Sequence, residues 1–124
     1  MGYESRVYIV HEDENGFVWD CGKTSAEIIA TFDLCVCEQE VLNAFHDEAK
    51  CCLIVNSEEV VADCYGDTLK STDLLTLYCA IESGKYWRTT ALKDYIRSIM
   101  GCAFGDKNII TREVKGLKAY HFGY

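Results

Sequence analysis

The sequence contains no proline and only 2 methionines among its 124 residues. Without proline, glycine and capping side chains alone must set the ends of helices and strands. No apolar run approaches the roughly 20 residues that a bilayer-spanning helix needs, so we expect no membrane contact of that kind. The start, residues 1–10, lacks the charged region and apolar core of a signal peptide, which predicts a cytoplasmic protein.

Sequence motifs of catalysis are also missing. The chain has no GxSxG, HExxH, GxxxxGK[ST] or GxGxxG pattern and no CxxC pair. The histidines His11, His46 and His121 have no nucleophile signature beside them. Only the fold could bring a cysteine to one of them, and local sequence does not reveal that. The sequence therefore predicts a protein that is not an enzyme.

Acidic charge is abundant and unevenly distributed. Residues 1–84 hold 17 acidic and 4 basic residues, a net charge of −13, whereas residues 85–124 hold 3 acidic and 8 basic residues, a net charge of +5. A solvated surface that keeps the protein soluble would explain the acids. Alternatively, they form a patch that competes with nucleic acid for the basic groove of a partner protein. The candidate partner-binding residues lie in predicted turns or on a polar helix face: Glu12, Asp13, Glu14, Glu38, Glu40, Asp47, Glu48, Glu58 and Glu59.

The basic last third offers a different hypothesis, a nucleic-acid-binding module. Its cations could bind phosphate: Arg88, Lys93, Arg97, Lys107, Arg112, Lys115 and Lys118. No glycine-rich phosphate loop or aromatic-flanked basic motif accompanies them. Direct nucleic-acid binding is therefore the weaker hypothesis.

The eight cysteines allow two interpretations. Because no export signal precedes them, reduced and mostly buried thiols are favoured over disulfides. The alternative is a structural zinc site, since thiolate and imidazole are zinc ligands and a Cys-x-Cys pair on an extended segment directs both thiols to one face. That site would use Cys35, Cys37, His46 and Cys51, or Cys52 in place of Cys51. No cofactor is required by any other feature.

Two helices are predicted in residues 71–101. The first, residues 72–83, carries Leu74, Leu77, Tyr78 and Ile81 at helical spacing, with Ser71 or Thr72 as its N-cap. The second, residues 88–100, repeats the pattern with Leu92, Tyr95, Ile96 and Ile99. Short amphipathic helices need a surface to pack on, and we expect that surface to be a sheet.

The sheet strands come from both sides of this helical pair. Residues 3–10 form a strand buried on both faces, and residues 26–36 a second strand, although their spacing also suits a helix. Residues 17–19 are a short extended piece or a loop, and residues 38–50 a short amphipathic helix. Residues 51–55 and 60–63 form a β-hairpin. Residues 109–115 and 118–122 are two strands, or one bent edge strand.

The predicted architecture is therefore one α+β domain over residues 1–124. It comprises an antiparallel sheet with two to three short helices packed on one face.

Five segments resemble a family of small, largely uncharacterised phage and prophage proteins. They are MGYESRVYIV, AEIIATFDLC, VVADCYGDTL, WRTTALKDYI and AYHFGY, in order along nearly the whole chain. The cysteine-rich middle, residues 35–52, departs from any fixed pattern. The resemblance implies no catalytic residues. It implies a context, because small acidic phage accessory proteins often bind and block a bacterial defence enzyme.

The expected function is thus a phage-encoded, non-catalytic inhibitor of a host defence protein. Anti-CRISPR proteins that act on the type II effector nuclease are the first group to consider. A zinc-binding structural or regulatory protein and a nucleic-acid-binding module are the alternatives.

Overall fold

The computed structural model describes residues 5–12, 16–20, 22–34, 39–55, 59–61, 63–64, 67–83, 89–101 and 117–123. In chain order their elements are β1 (Ser5–His11), β2 (Ser25–Asp33), α1 (Gln39–Ala44), β3 (Asp47–Glu48), β4 (Cys52–Val55), β5 (Glu59–Val61), β6 (Asp63–Cys64), β7 (Asp67–Thr68), β8 (Lys70–Asp73), α2 (Leu74–Ser83), α3 (Thr90–Gly101) and β9 (Leu117–Gly123). This is an α+β fold, as the sequence predicted. Within the described ranges, no helix has the length and apolar character to cross a bilayer.

Seven strands form one sheet in the order β3-β8-β9-β1-β2-β4-β5, and β6 pairs with β7 separately. The sheet is mixed, which corrects the expected antiparallel arrangement: β2 and β4 are parallel, with Ser25 opposite Cys52 and Ala26 opposite Leu53. A parallel pair needs a long crossover connection, and the segment between β2 and β4, which contains α1, provides one. The predicted hairpin is present, since β4 pairs with β5 in antiparallel fashion.

The three helices pack on one face of this sheet and form the helix core. Alternate side chains of β1 enter it, because successive strand residues point to opposite faces. Its buried members are Val7, Ile9, Leu34, Val41, Phe45, Leu74, Leu77, Ile81, Leu92, Ile96, Leu117 and Ala119. The predicted apolar faces of both long helices are therefore confirmed, with Tyr78, Tyr95 and Ile99 packed at the edge of the core.

Several predicted boundaries are wrong. Residues 72 and 73, predicted as the start of the helix, belong to strand β8 instead. The N-cap is Asp73 rather than Ser71 or Thr72: its carboxylate accepts hydrogen bonds from Thr76 N, at 2.7 Å, and Thr76 Oγ1, at 2.9 Å. Helix α1 ends at Ala44, so Asp47 and Glu48 belong to a strand and not to a helix face. Strand β9 is central, not an edge strand. The strand predicted for residues 109–115 lies outside the described residues.

The connection between β3 and β4 requires the sheet to curl. The two strands lie five positions apart in the sheet, which in a flat sheet is a distance of about 24 Å. Yet only residues 49–51 join them, and a chain from Glu48 to Cys52 reaches at most about 15 Å. Curling encloses a second, inner core on the face opposite the helices: Tyr8, Val10, Ala26, Ala49, Cys51, Leu53, Leu69 and Tyr120.

A β-bulge lets β2 contribute to both cores. Its pairing with β1 shifts register between Ile9 and Val10, which leaves Ile29 as an extra residue. One extra residue reverses which face the following side chains occupy. Side chains of β2 accordingly pack in the inner core before the bulge and against the helix core after it: Ala26 and Ile28, then Ala30 and Phe32.

A buried polar pair lies beside the helix core. The Oγ of Ser5, a fully buried residue, is 2.7 Å from Nε2 of His121, a residue that is 8% exposed. The imidazole also packs against the ring of Phe45, with 5.3 Å between centroids. Burial disfavours the charged ring and lowers the pKa of His121 to about 4.

We predict that truncating the helix core is costly. Leu77→Ala and Ile96→Ala should each lower the free energy of unfolding by about 2–5 kcal/mol, because both side chains are fully buried and leave a cavity. Leu75→Ala is the matched control on the same helix as Leu77; its side chain is 55% exposed, and the change should stay within about 0.5 kcal/mol. Urea denaturation measures all three. Core variants that unfold at the parent's midpoint would contradict the packing described above.

We also predict acid sensitivity from His121. His121 binds a proton less tightly in the folded state than in the unfolded chain. The contribution of neutral His121 to the free energy of unfolding is therefore fully present above pH 6.5 and is lost as pH falls towards 4. The pKa of His121 is 6.5 in the unfolded chain and about 4 in the folded protein, and this difference corresponds to a loss of about 3 kcal/mol of unfolding free energy. His121→Gln keeps a polar side chain but cannot titrate. The difference in unfolding free energy between parent and variant should therefore change across this window, and a constant difference would contradict the prediction.

Candidate functional site

Strand register places charged groups at both ends of the inner core. On β1 and β9 the residues facing it are paired as Arg6 with Phe122, Tyr8 with Tyr120, and Val10 with Lys118. The tyrosines lie in the middle, and Glu12 follows β1 at the end where Lys118 lies. Each end of the curl opens into a pocket.

The larger pocket, here called the acidic pocket, has a volume of about 310 Å³. Its lining comes from the end of β1, from β3 and the residues after it, and from β8 and β9: Glu12, Asp47, Glu48, Lys50, Ser71 and Lys118. Three carboxylates and two ammonium groups give it a net charge of −1. They come from four segments that are far apart in sequence, and the curl of the sheet brings these segments together.

A hydrogen-bonded chain ties this pocket to the inner core. The fully buried Tyr120 donates its hydroxyl proton to Glu12 Oε1 at 2.7 Å and accepts a bond from the backbone N–H of Cys51 at 3.2 Å. Burial raises the pKa of Tyr120, and the hydrogen bond and negative charge of Glu12 raise it further. The phenol therefore stays neutral and holds the Glu12 carboxylate in one position.

Lys118 also lies beside an acid on the neighbouring strand β8. It lies opposite Asp73, the N-cap of α2, in the pairing of β8 with β9. Burial raises the pKa of Asp73, but the hydrogen bonds from Thr76 and the positive charge of Lys118 outweigh burial, and the net shift is downward. Asp73 therefore balances part of the positive charge of Lys118. The negative charge of the pocket carboxylates then exceeds the positive charge that remains to balance it.

The smaller pocket, of about 220 Å³, lies at the opposite end of the curl. Four of its six lining residues are aromatic or aliphatic, and the other two carry one charge of each sign: Arg6, Tyr8, Val55, Glu59, Val61 and Phe122. Among the described residues, Glu59 is the predicted partner-binding acid that lines it.

The structure brings together only some of the predicted acids. Glu12, Asp47 and Glu48 meet in the acidic pocket. Glu40 is exposed on α1, and Glu59 lines the other pocket. The remaining candidates, Asp13, Glu14, Glu38 and Glu58, lie outside the described residues.

The proposed zinc ligands are only partly described. His46 is exposed, its Nδ1 is 2.8 Å from the carbonyl oxygen of Ala44, and its Nε2 is 3.6 Å from Asp47. Cys51 and Cys52 are buried, whereas Cys35 and Cys37 lie outside the described residues. In the described part of the chain, no three His, Cys, Asp or Glu side chains are grouped to hold a metal ion. The zinc site stays a prediction.

Cys79 is exposed, so burial does not extend to every cysteine.

Sequence reasoning missed an exposed apolar pair. Phe17 is 70% exposed and Val18 is 62% exposed. They belong to a short hairpin-like segment in which Val18 forms a β-bridge with Thr24. Gly22 lies in the turn of this segment and has a positive φ of 80°. Phe17 packs edge-on against Trp19, with 5.4 Å between ring centroids. Alternation could have suggested that Phe17 points outward, but only the fold shows that nothing in the described part of the chain covers it.

No protein-family model, curated protein or solved structure matches this chain. The resemblance to small phage proteins therefore stays a prediction.

We predict that the Tyr120 hydroxyl matters for stability. Tyr120→Phe should lower the free energy of unfolding by about 1–3 kcal/mol, because it removes the hydroxyl that accepts a hydrogen bond from the buried N–H of Cys51 and donates one to Glu12. The matched control is Tyr78→Phe, whose hydroxyl bonds Glu82 at an exposed position and should matter by less than about 0.5 kcal/mol. Thermal or urea unfolding compares the two. Equal losses of unfolding free energy in the two variants would show that the buried Tyr120 hydroxyl stabilises the fold no more than an exposed one does.

Proposed function

We propose that this protein is a phage-encoded, non-catalytic inhibitor that binds a bacterial defence protein in the cytoplasm of the infected cell. The first partner to test is a type II CRISPR effector nuclease, which would make the protein an anti-CRISPR. No cofactor is needed for this function. The family resemblance suggests the biological context, and the charge distribution suggests the mode of binding.

The observation that supports this proposal most is that three acids from two distant parts of the chain line one pocket. Glu12, Asp47 and Glu48 lie together in one pocket, in a protein whose formal net charge is −8. A protein that binds nucleic acid carries a basic groove for phosphates. An acidic surface is attracted to such a groove at long range and competes with the nucleic acid for it.

Two described cations of the last third, Lys93 and Lys118, support a protein partner over direct nucleic-acid binding. Lys93 forms a 3.2 Å ion pair with Glu82, and Lys118 lies among the acids of the pocket. Phosphate groups approaching either of them would meet carboxylates as well. We expect no mobility shift of DNA or RNA at low salt, and a clear shift would favour the nucleic-acid-binding alternative.

We predict that a double charge reversal weakens partner binding without unfolding the protein. Asp47→Lys with Glu48→Lys should weaken binding to the guide-loaded nuclease by about 1–3 kcal/mol if the contact excludes water. Both residues are exposed, so the free energy of unfolding should barely change. Glu12 is left intact because it accepts the Tyr120 hydrogen bond. Biolayer interferometry and a DNA-cleavage assay give the two readouts.

Glu40→Lys with Glu59→Lys is the matched control, since both acids are exposed and lie outside the acidic pocket. Association should also slow as salt rises, because charges more than about 8–10 Å apart are screened near physiological ionic strength. A tight complex that tolerates both double reversals and high salt would contradict the acidic mechanism. The exposed Phe17 and Val18 would then be the first contact residues to test.

A further inference from the structure

The acidic pocket combines groups that suit a cationic ligand of extended shape. Glu12 is held in place by Tyr120, while Asp47 and Glu48 stand at the exposed edge on β3. Lys50 lies at the same edge and Lys118 further in. At about 310 Å³, the volume is at the lower end of the range for small-molecule sites.

Ser71 provides a second observation that points to a ligand. It is 4% exposed, yet it lines the pocket. On β8 it lies opposite both Tyr120 and Asp47, so its side chain is on the inner face of the sheet. Its hydroxyl has no hydrogen-bond partner among the described residues, and it is not sealed away from solvent. A hydroxyl on an almost fully buried residue that lines a polar pocket and has no protein partner is available to bond a ligand.

The arrangement of the carboxylates narrows the kind of cation. No three acids in the described ranges are close enough together to share one metal ion. Carboxylates that line one pocket without converging on a single point instead suit a planar group with several donors. A guanidinium has five N–H donors in a fixed fork and pairs with carboxylates in bidentate fashion, whereas an ammonium is a compact point charge.

We propose that the acidic pocket binds a guanidinium group, with Glu12 and Asp47 as the main acceptors and Ser71 as an additional one. Lys50 and Lys118 would receive an anionic group of the same ligand where it has one. The ligand class is therefore arginine, either as the free amino acid or as a side chain of another polypeptide. This inference does not depend on the proposed inhibitor function.

An NMR titration of the ¹⁵N-labelled protein tests this proposal. The probes are N-acetyl-arginine methylamide, which mimics a protein side chain, free L-arginine, and agmatine, which lacks a carboxylate. N-acetyl-citrulline methylamide is the neutral isostere. We expect saturable shifts of the amides of Glu48, Ser71 and Lys118 with the guanidinium probes. Binding of the citrulline probe should be at least about tenfold weaker, because charge-assisted hydrogen bonds are lost.

Matched variants show whether the pocket itself is responsible. Glu12→Gln can still accept the Tyr120 hydrogen bond, and Asp47→Asn alters an exposed residue, so neither should unfold the protein. Each should weaken the guanidinium probes about tenfold by removing one charge-assisted bond. Glu40→Gln, outside the pocket, should have no effect.

The outcomes are distinct. Free arginine binding more tightly than both agmatine and the capped arginine would identify the free amino acid as the better ligand, through its carboxylate and the two lysines. Equal binding of the capped and free forms would identify an arginine side chain. Citrulline binding as tightly as arginine, shifts confined to other residues, no shift at tens of millimolar probe, or equal weakening by Glu40→Gln would each overturn the proposal.

Discussion

The shortness of the link between β3 and β4 is the constraint on which the rest of the structure depends. Three residues join strands that lie five positions apart in the sheet. In a flat sheet, a link of that length is too short to reach from one strand to the other. Curling the sheet satisfies the link and encloses a second apolar core. The buried peptide groups of the link are then bonded within that core: Ala49 N to Leu69 O at 2.8 Å, and Cys51 N to the Tyr120 hydroxyl at 3.2 Å.

The same curl creates the candidate site. Strand alternation alone puts the charged ends of β1 and β9 on the inner face, but a flat sheet would leave them facing open solvent. Closure brings β3 towards Glu12 and Lys118, so that groups from distant segments line one pocket. The hydroxyl of Tyr120 then connects the interior with that pocket, because it bonds both the link and the Glu12 carboxylate.

Local patterns predicted what depends on local periodicity. The apolar spacing of Leu77 and Ile96 identified both long helices and their buried faces, and the apolar runs of β1, β4 and β5 identified strands. Strand β8 was missed because Ser71–Asp73 also matches the start of a capped helix. The curl, the bulge at Ile29 and the central position of β9 depend on pairings between distant residues, which no local window contains. For that reason the sequence predicted Glu12, Asp47 and Glu48 only as members of an acidic surface and could not predict that they share a pocket.

The position of β9 has a consequence for the rate of folding. It is the last described strand in chain order, yet it lies between β8 and β1. Ser5 and His121, which it brings together, are 116 positions apart. Closing so long a loop costs conformational entropy before its contacts form, and folds dominated by such distant pairings fold slowly. Because the chain has no proline, isomerisation of prolyl bonds cannot cause a slow refolding phase. A slow phase in this protein would instead point to the late pairing of β9 with β8 and β1.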